Sequence, residues 1–449
     1  MSTATQSDRD DTEHEIMTYI RAKKHMDLII YKGTPMIMKL KTPLAEALDA
    51  MSSIPFVRNS HHIWKDDYRT LTIAGVQAGN LYSPKVDVML EKSIPSPFGK
   101  GSETVLDPLY RSGREIHGKE IGLNYTEYFL REALEDTKKI MFPGRKVGAK
   151  LYKLAIYEVG GHFDWHMDST HSDKHHATLL VALNTSWEGG DLVLRRNGIE
   201  THVDLRPQKR PDSDLIDLQS IVFFTDTEHR VEPVKAGIRI VLQFDVELKK
   251  TRTDEDEWGT YEAVWMERLE EQCSLRMKKG GDAQATTDMA TIEKVLEIIK
   301  ELHNNGTEEV AFALYHVYRK SSILSEYLKG SDATLYDALK ASGEYDVSLH
   351  PVILREAFDI DTYNQESSPK ERSVYRCDAL ETAEKSDDPP MLKKQKRESL
   401  AFHIPELSGI QEISREDYMT GNDAMPVEYR YFGGGMFIRP KSESSISKI

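Results

Sequence analysis

The chain has few cysteines and no long apolar run. Cys273 and Cys377 are the two cysteines among 449 residues, too few for a disulfide framework, and this scarcity favours a reducing compartment. No stretch of about 18 apolar residues exists, which excludes a membrane-spanning helix. The polar, acidic N-terminus lacks the apolar segment of a signal peptide. The expected location is cytoplasmic or nuclear.

Positive charge is also in short supply. The chain has 59 lysines and arginines against 74 aspartates and glutamates, a formal net charge of −15. Proteins that bind nucleic acid generally neutralise phosphates with a basic surface. The composition therefore argues against a general nucleic-acid binder, although it does not exclude a local basic groove.

Changes in composition divide the chain into six predicted regions. They are an acidic, disordered tail (1–15), an N-terminal α/β region that supports the core (16–145), the core itself (146–250), a helical or α+β region (251–365), a flexible linker (366–400) and a C-terminal segment (401–449). The linker contains the basic run Lys393–Arg397, which is compatible equally with a nuclear import signal and with a solvated charge run. In region 251–365, apolar residues recur at helical spacing from Ile292 to Leu302.

The core region carries many short β-branched or apolar runs separated by turn residues. KLAIY, ATLLVAL, GDLVLRR, SIVFFT and RIVLQFDV are examples, and their close spacing predicts a β-sandwich or barrel. Asn197-Gly198 lies between two such runs and predicts a tight hairpin, because both residues accept the positive φ angles of a primed turn.

A candidate metal site lies in this core. His166 and Asp168 are two residues apart, so on a strand both side chains leave the same face. A further histidine, His229, follows a buried apolar run, and it would complete the two-histidine, one-carboxylate set of non-haem Fe(II) oxygenases. A second His-x-Asp pair, His162 and Asp164, has the same parity, so spacing alone does not separate the two pairs.

Ten residues after His229, Arg239 stands in an apolar strand. A buried arginine is costly without an anionic partner, and its planar guanidinium pairs bidentately with carboxylates. The distal carboxylate of 2-oxoglutarate would fit such a residue.

The wider pattern resembles the prolyl 4-hydroxylase-like family of Fe(II)/2-oxoglutarate-dependent dioxygenases, and more loosely its uncharacterised, mostly fungal, intracellular members. The residues that carry the resemblance are Tyr157, Gly160, Phe163, His166 and Asp168, the pair Gly189-Gly190, and His229 with Arg239. The resemblance implies an α+β fold with a double-stranded β-helix (jelly-roll) core, flanking helices and a smaller C-terminal α+β region. It also selects His166 and Asp168 over His162 and Asp164.

Site roles follow from the same resemblance. Fe(II) would be held by His166, Asp168 and His229, 2-oxoglutarate would be bound by Arg239 with Tyr157 in contact, and no catalytic residue is implied beyond the metal site. O₂ would be the second cosubstrate, and ascorbate would keep the iron ferrous. The chain departs from the family at two positions: arginine replaces the more frequent lysine at 239, and Ala182 stands where oxygen-sensing relatives have a tyrosine.

The expected reaction is hydroxylation of an unactivated C–H bond coupled to conversion of 2-oxoglutarate to succinate and CO₂. A prolyl side chain of an intracellular protein is the first expected substrate, with another peptidyl side chain or a nucleobase as alternatives. A different class of function is a weak or inactive oxygenase-fold adaptor or sensor that acts through its C-terminal region. Four further histidines are expected at loops or at the rim of the site: His162, His171, His175 and His176.

Overall fold

The computed structural model describes most of the core and parts of the flanking regions. The described residues are 28–30, 42–51, 56–64, 70–100, 103–124, 127–143, 145–196, 199–210, 215–249, 289–358, 371–377, 400–420 and 423–441. The acidic tail, residues 251–288 and the basic run Lys393–Arg397 lie outside them. No helix in the described ranges combines the length and the apolar character that a membrane crossing requires.

Strands outnumber helices in these ranges. The helices are α1 (Pro43–Met51), α2 (Val86–Lys92), α3 (Glu127–Ile140), α4 (Met289–Asn304) and α5 (Gly330–Ser342). The first strands are β1 (Leu28–Ile30), β2 (Phe56–Trp64), β3 (Thr70–Ile73), β4 (Val76–Asn80), β5 (Ile94–Pro95), β6 (Phe98–Lys100), β7 (Glu103–Val105), β8 (Arg111–Ser112), β9 (Arg114–His117) and β10 (Ile121–Leu123). The core strands are β11 (Lys146–Tyr157), β12 (His162–His166), β13 (His175–Ala182), β14 (Trp187–Gly189), β15 (Leu192–Arg196), β16 (Ile199–Val203), β17 (Gln208–Lys209), β18 (Leu215–Phe224), β19 (Glu228–Val231), β20 (Val234–Gly237) and β21 (Arg239–Lys249). The last strands are β22 (Glu309–Ala313), β23 (Tyr345–Phe358), β24 (Glu371–Cys377), β25 (Leu400–His403), β26 (Gln411–Thr420) and β27 (Asp423–Pro440).

Two packed antiparallel sheets form the core of the unit of residues 54–286. The major sheet has the order β17-β18-β13-β21-β11-β9-β5, with β2 beside β18, and the minor sheet has the order β16-β15-β19-β12-β8. Ala155, Leu180 and Phe223 of the major sheet share one buried cluster with Leu194 and Val231 of the minor sheet. The inner faces of both sheets therefore build a common core, which confirms the predicted jelly roll.

The outer face of the major sheet is covered by a helix. α3 packs against β2, β11 and β18, and its Ala133 is fully buried. This arrangement explains why β13 and most of β18 are buried on both faces, whereas burial alternates along strands of the minor sheet, as in β19. The α+β character and the flanking helix agree with the prediction.

The predicted hairpin in the core is present. β15 pairs with β16 from Leu192 opposite Val203 to Arg196 opposite Ile199. Two residues, Asn197 and Gly198, connect the strands, as the spacing predicts. These two turn residues themselves lie outside the described residues.

The second unit comprises residues 1–53 and 287–449. Its sheet has the order β1-β24-β23-β27-β22-β25, with β26 beside β27. The predicted apolar face of α4 is buried at Ile292, Val295 and Ile299, in one cluster with Leu44 and Leu48 of α1. α1 therefore packs with α4 in the second unit. The sequence had instead placed α1 in the region 16–145, which was expected to support the core.

Part of the predicted flexible linker is a strand. β24 lies within 366–400 and pairs with β23 from Val352 opposite Arg376 to Ala357 opposite Glu371. Val374 is buried in the cluster that also contains Val352 and Leu354. This apolar contact gives the segment a place in the sheet that its polar composition did not indicate, and the linker prediction is wrong for Glu371–Cys377.

We expect Gly343→Ala to destabilise the second unit. Gly343 ends α5 with φ of 71°, and a Cβ there would meet no atom within 4 Å. The cost is therefore backbone strain alone, about 1 kcal/mol in the free energy of unfolding. Urea denaturation measures it, and Gly343→Asn should lose less because asparagine tolerates this conformation. Equal losses for alanine and asparagine would contradict the strain explanation.

Candidate metal centre

The three predicted metal ligands lie together between the two sheets. His166 on β12 is the register partner of His229 on β19, and Asp168 follows β12 directly. Asp168 Oδ1 lies 4.0 Å from His166 Nε2 and 3.8 Å from His229 Nε2. One donor atom from each residue falls within 4.8 Å of the others. This two-histidine, one-carboxylate set suits a divalent ion such as Fe(II) and contributes three ligands, which leaves positions for other molecules.

Backbone carbonyls orient both imidazole rings. His166 Nδ1 lies 2.8 Å from the carbonyl of Asp164, and His229 Nδ1 lies 2.9 Å from the carbonyl of Thr227. A carbonyl only accepts hydrogen bonds, so each Nδ1 must carry the proton. The Nε2 lone pairs are then directed toward Asp168, the tautomer that a metal ligand requires.

Burial and mutual contact shift the pKa values of His166 and Asp168 toward the ionisation states that bind metal. Burial, with the neighbouring His229, lowers the pKa of His166 to about 3, so its ring is neutral. Burial alone would raise the pKa of Asp168, but His229, His166 and the Thr178 hydroxyl outweigh it and lower that pKa. Thr178 Oγ1 donates to Asp168 Oδ2 at 2.5 Å, and the Asp168 amide donates to the Thr225 carbonyl at 3.0 Å. The carboxylate is thus ionised and held at both its backbone and its side chain.

An irregularity in β12 separates the two His-x-Asp pairs. The register of β12 shifts between Phe163 and His166, and the rings of these two residues stack at 3.4 Å. The expected common face of residues 162, 164, 166 and 168 is therefore wrong. His162 places its two ring nitrogens on the carbonyls of Gly160 and Leu109, at 2.9 and 3.1 Å, and is outside the donor group.

Arg239 is a buried cation with unused donors. It is 1% exposed, and its Nε and Nη2 atoms have no hydrogen-bond partner. Burial lowers the pKa of its guanidinium. Tyr157, its partner in the β11–β21 pairing, places its ring 5.3 Å from the guanidinium carbon. A buried guanidinium with free donors pairs well with a carboxylate, so the residues present fit the distal carboxylate of 2-oxoglutarate.

Gly190 permits the close packing around Arg239. Its φ is 64°, and a Cβ at this position would lie 3.3 Å from Arg239 Cδ and 2.9 Å from Val234 Cγ2. This contact gives the Gly-Gly pair of the sequence pattern a physical reason, since any side chain would displace the arginine. Ala182, on the neighbouring strand β13, is fully buried.

Two histidines expected at the rim are buried instead. His175 and His176 are 1% and 3% exposed at the start of β13, where the strand is covered on both faces. His171 lies 2.8 Å from Asp245 through its Nδ1 atom. His175 accepts the His171 amide proton at its own Nδ1, so in the neutral ring Nε2 carries the proton. That tautomer opposes metal binding at Nε2 in this second group of potential ligands.

Other polar residues beside the metal centre were missed by reasoning from sequence. Arg111 and Lys153 both contact the Glu115 carboxylate, and the Arg111 guanidinium lies 4.5 Å from the centre of the Phe163 ring. Lys153 could have been noticed in the sequence, because it is a charged residue in the apolar run KLAIY. Arg239 is likewise a charged residue in an apolar strand. Arg111 and Glu115 lie in polar surroundings that carry no such signal.

Comparisons with known proteins agree with this geometry. Residues 152–244 match the model of the 2OG-Fe(II) oxygenase superfamily, which includes both histidines, the aspartate and Arg239. The match covers the jelly-roll strands and neither flanking region. No curated protein sequence matches the chain.

Distant similarity to solved structures is widespread. A prolyl 4-hydroxylase of Pseudomonas putida is 14% identical, over 46% of this chain and 100% of that one, with a TM-score of 0.26. A prolyl hydroxylase of Trichoplax adhaerens, solved with a hypoxia inducible factor peptide fragment, is 12% identical over 54% and 91%, with a TM-score of 0.28. A viral collagen prolyl hydroxylase of Paramecium Bursaria Chlorella virus-1 is 18% identical over 42% and 99%, with a TM-score of 0.22.

We expect Thr178→Val to weaken metal binding and to shift its pH dependence. Loss of the Thr178 hydrogen bond raises the pKa of Asp168, so protons compete with the metal at higher pH than in the wild type. Affinity for Mn²⁺ should fall by about 10-fold, with a larger loss as the pH is lowered. Calorimetric titration between pH 5 and 7.5 measures both effects. Thr201→Val, on β16 of the hairpin, is the control, and an equal change there would argue against the role of Thr178.

Proposed function

We propose that this chain, whose residues 152–244 match the 2OG-Fe(II) oxygenase superfamily, is an Fe(II)- and 2-oxoglutarate-dependent dioxygenase that hydroxylates an unactivated C–H bond. The observation that carries the proposal is the coexistence of two incomplete groups in one jelly roll. His166, Asp168 and His229 offer a facial ligand set, and Arg239 offers a buried cation with no anion. An Fe(II) ion and a 2-oxo acid are the pair of molecules that completes both.

Each part of the site has a separate task. His166, Asp168 and His229 would hold the ion, which supplies the activation of O₂ coupled to oxidative decarboxylation of 2-oxoglutarate. Arg239 and Tyr157 would bind the distal carboxylate and fix the orientation of the cosubstrate. Burial of Arg239 at 1% exposure strengthens that ion pair, because water does not compete for it.

The substrate we propose is a side chain of a cytoplasmic or nuclear protein, with proline first. The resemblance to prolyl 4-hydroxylase-like enzymes supports proline, and the net charge of −15 supports a protein over a nucleic acid. Ascorbate would maintain the ferrous state, as the same resemblance implies.

An anaerobic titration followed by oxygen tests the proposal. Fe(II) and 2-oxoglutarate added to the protein should produce a weak visible charge-transfer band, and admission of O₂ should release succinate slowly without added substrate. His229→Ala should abolish both signals, whereas His162→Ala, a histidine outside the donor group, should keep them. A band without succinate would instead indicate a sensor or adaptor. Absence of both from folded, metal-loaded protein would refute the proposal.

We expect Arg239→Ala to leave metal affinity nearly unchanged and to weaken 2-oxoglutarate binding by about 100-fold, because the variant removes a charged hydrogen-bond donor. Arg239→Lys should lose far less, since the charge remains. Anaerobic titration of the charge-transfer band gives both constants. Arg195→Ala is the control, because this arginine pairs with Glu228 at 2.6 Å and has its own anion. Normal 2-oxoglutarate affinity in Arg239→Ala would contradict the assignment.

A further inference from the structure

Three charged side chains next to the metal centre have no role in the site described so far. Arg111 on β8, Glu115 on β9 and Lys153 on β11 are buried, with side chains 5%, 5% and 10% exposed. Glu115 Oε2 lies 3.2 Å from Arg111 Nη2 and 3.0 Å from Lys153 Nζ. We call these three residues the basic triad. Two cations therefore share a single carboxylate oxygen in a buried environment.

The basic triad has two cationic side chains and one carboxylate, so positive charge exceeds negative charge by one. Arg111 Nε is buried and has no hydrogen-bond partner. Burial, and then Arg111, lower the pKa of Lys153 against the opposing effect of Glu115. Asp245, another acid in this part of the sheet, has its own partner in His171 at 2.8 Å. Arg239 thus has no anion among its contacts, whereas Arg111 and Lys153 share one carboxylate and keep one positive charge in excess.

The position of the basic triad relative to the metal ligands indicates which molecule it would meet. Tyr157, Ala155 and Lys153 alternate along β11, and Tyr157 and Ala155 belong to the core between the sheets. Lys153 therefore points to the same interior, about 13 Å along the strand from Tyr157. Against the effect of burial, the carboxylate of Asp168 is among the groups that raise the pKa of Lys153, whereas Asp191 is the carboxylate that raises the pKa of Arg239. The basic triad and the Arg239 site thus lie at different places along the inner face.

We propose that Lys153 and Arg111 form a carboxylate-binding subsite for the substrate, so that the group to be hydroxylated lies beside an acidic side chain or a terminal carboxylate. The inference rests on the proposed function, because it assumes that 2-oxoglutarate occupies Arg239. With that cosubstrate in place, the basic triad still carries one positive charge more than Glu115 neutralises. A neutral substrate would leave it unpaired, and an anionic one would neutralise it.

The experiment compares an acid with its amide at fixed size. The probes are N-acetyl-aspartate N-methylamide and N-acetyl-asparagine N-methylamide, added without O₂ to full-length protein loaded with Mn²⁺ and saturated with 2-oxoglutarate. Saturation with 2-oxoglutarate blocks Arg239, and enhanced proton relaxation of the probe by Mn²⁺ reports binding near the metal. We expect the acid to bind at least about 10-fold more tightly than the amide. Equal binding, or no acid binding, would overturn the proposal.

Variants separate a binding role from a structural one. Lys153→Met should abolish the preference for the acid, and Lys153→Arg should restore much of it. Lys150→Met is the control, because Lys150 is an exposed residue of the same strand. If Lys153→Met lowers the melting temperature but keeps the acid preference, the basic triad is only a structural ion-pair network and the proposal fails.

The cosubstrate is the other possible source of a carboxylate. If Lys153→Met weakens 2-oxoglutarate binding as strongly as Arg239→Ala does, the basic triad serves the cosubstrate and the substrate assignment is wrong. Failure of the proposed function would look different: the wild type would then show no charge-transfer band with Fe(II) and 2-oxoglutarate. Saturation-transfer spectra of the metal-free protein would still report whether the acid probe prefers wild type over Lys153→Met.

Discussion

Burial of charge between two sheets is the constraint on which the rest of this core depends. Arg239 is almost completely buried and has unused donors, and His229, His166 and the Thr178 hydroxyl lower the pKa of the buried Asp168 against the effect of burial. Unpaired charge in a protein interior costs several kcal/mol. A core that retains such groups is most stable when their counter-charges are bound, so the proposed binding of a cation at Asp168 and of an anion at Arg239 would also stabilise the fold.

The jelly roll distributes these charges over its two faces. The minor sheet supplies His166 and His229 as register partners on β12 and β19, and the major sheet supplies Arg239 and Tyr157 as partners on β21 and β11. Cross-strand pairing makes residues distant in sequence neighbours without any flexible element. The proposed metal ligands and the residues proposed to bind 2-oxoglutarate are therefore positioned by the same backbone hydrogen bonds that hold each sheet together, which suits a site that must keep its geometry before its ligands arrive.

The sequence was sufficient to predict those parts of the core in which a residue differs chemically from its neighbours in the chain. An arginine in an apolar strand, a His-x-Asp pair and an Asn-Gly between β-branched runs each stand out locally, and each corresponds to a feature of the structure. The irregularity in β12 could not be predicted, because the pairing of Phe163 with Val231 and of His166 with His229 depends on a distant strand. For the same reason the burial of His175 and the pairing of β24 were missed, since both follow from neighbours far away in the chain.

The register of β12 against β19 also explains why one His-x-Asp pair is suited to metal and the other is not. His162 and His166 are chemically identical, yet carbonyls contact two nitrogens of the first and one nitrogen of the second. Asp164 accepts the amide proton of Trp165 at 2.8 Å, whereas Asp168 Oδ1 lies within 4.0 Å of two imidazole nitrogens. A shift of register in β12 changes which backbone atoms each side chain meets, and those atoms decide which lone pairs remain available. The choice between the pairs is thus made by the geometry of one strand, because residue type and spacing are the same for both.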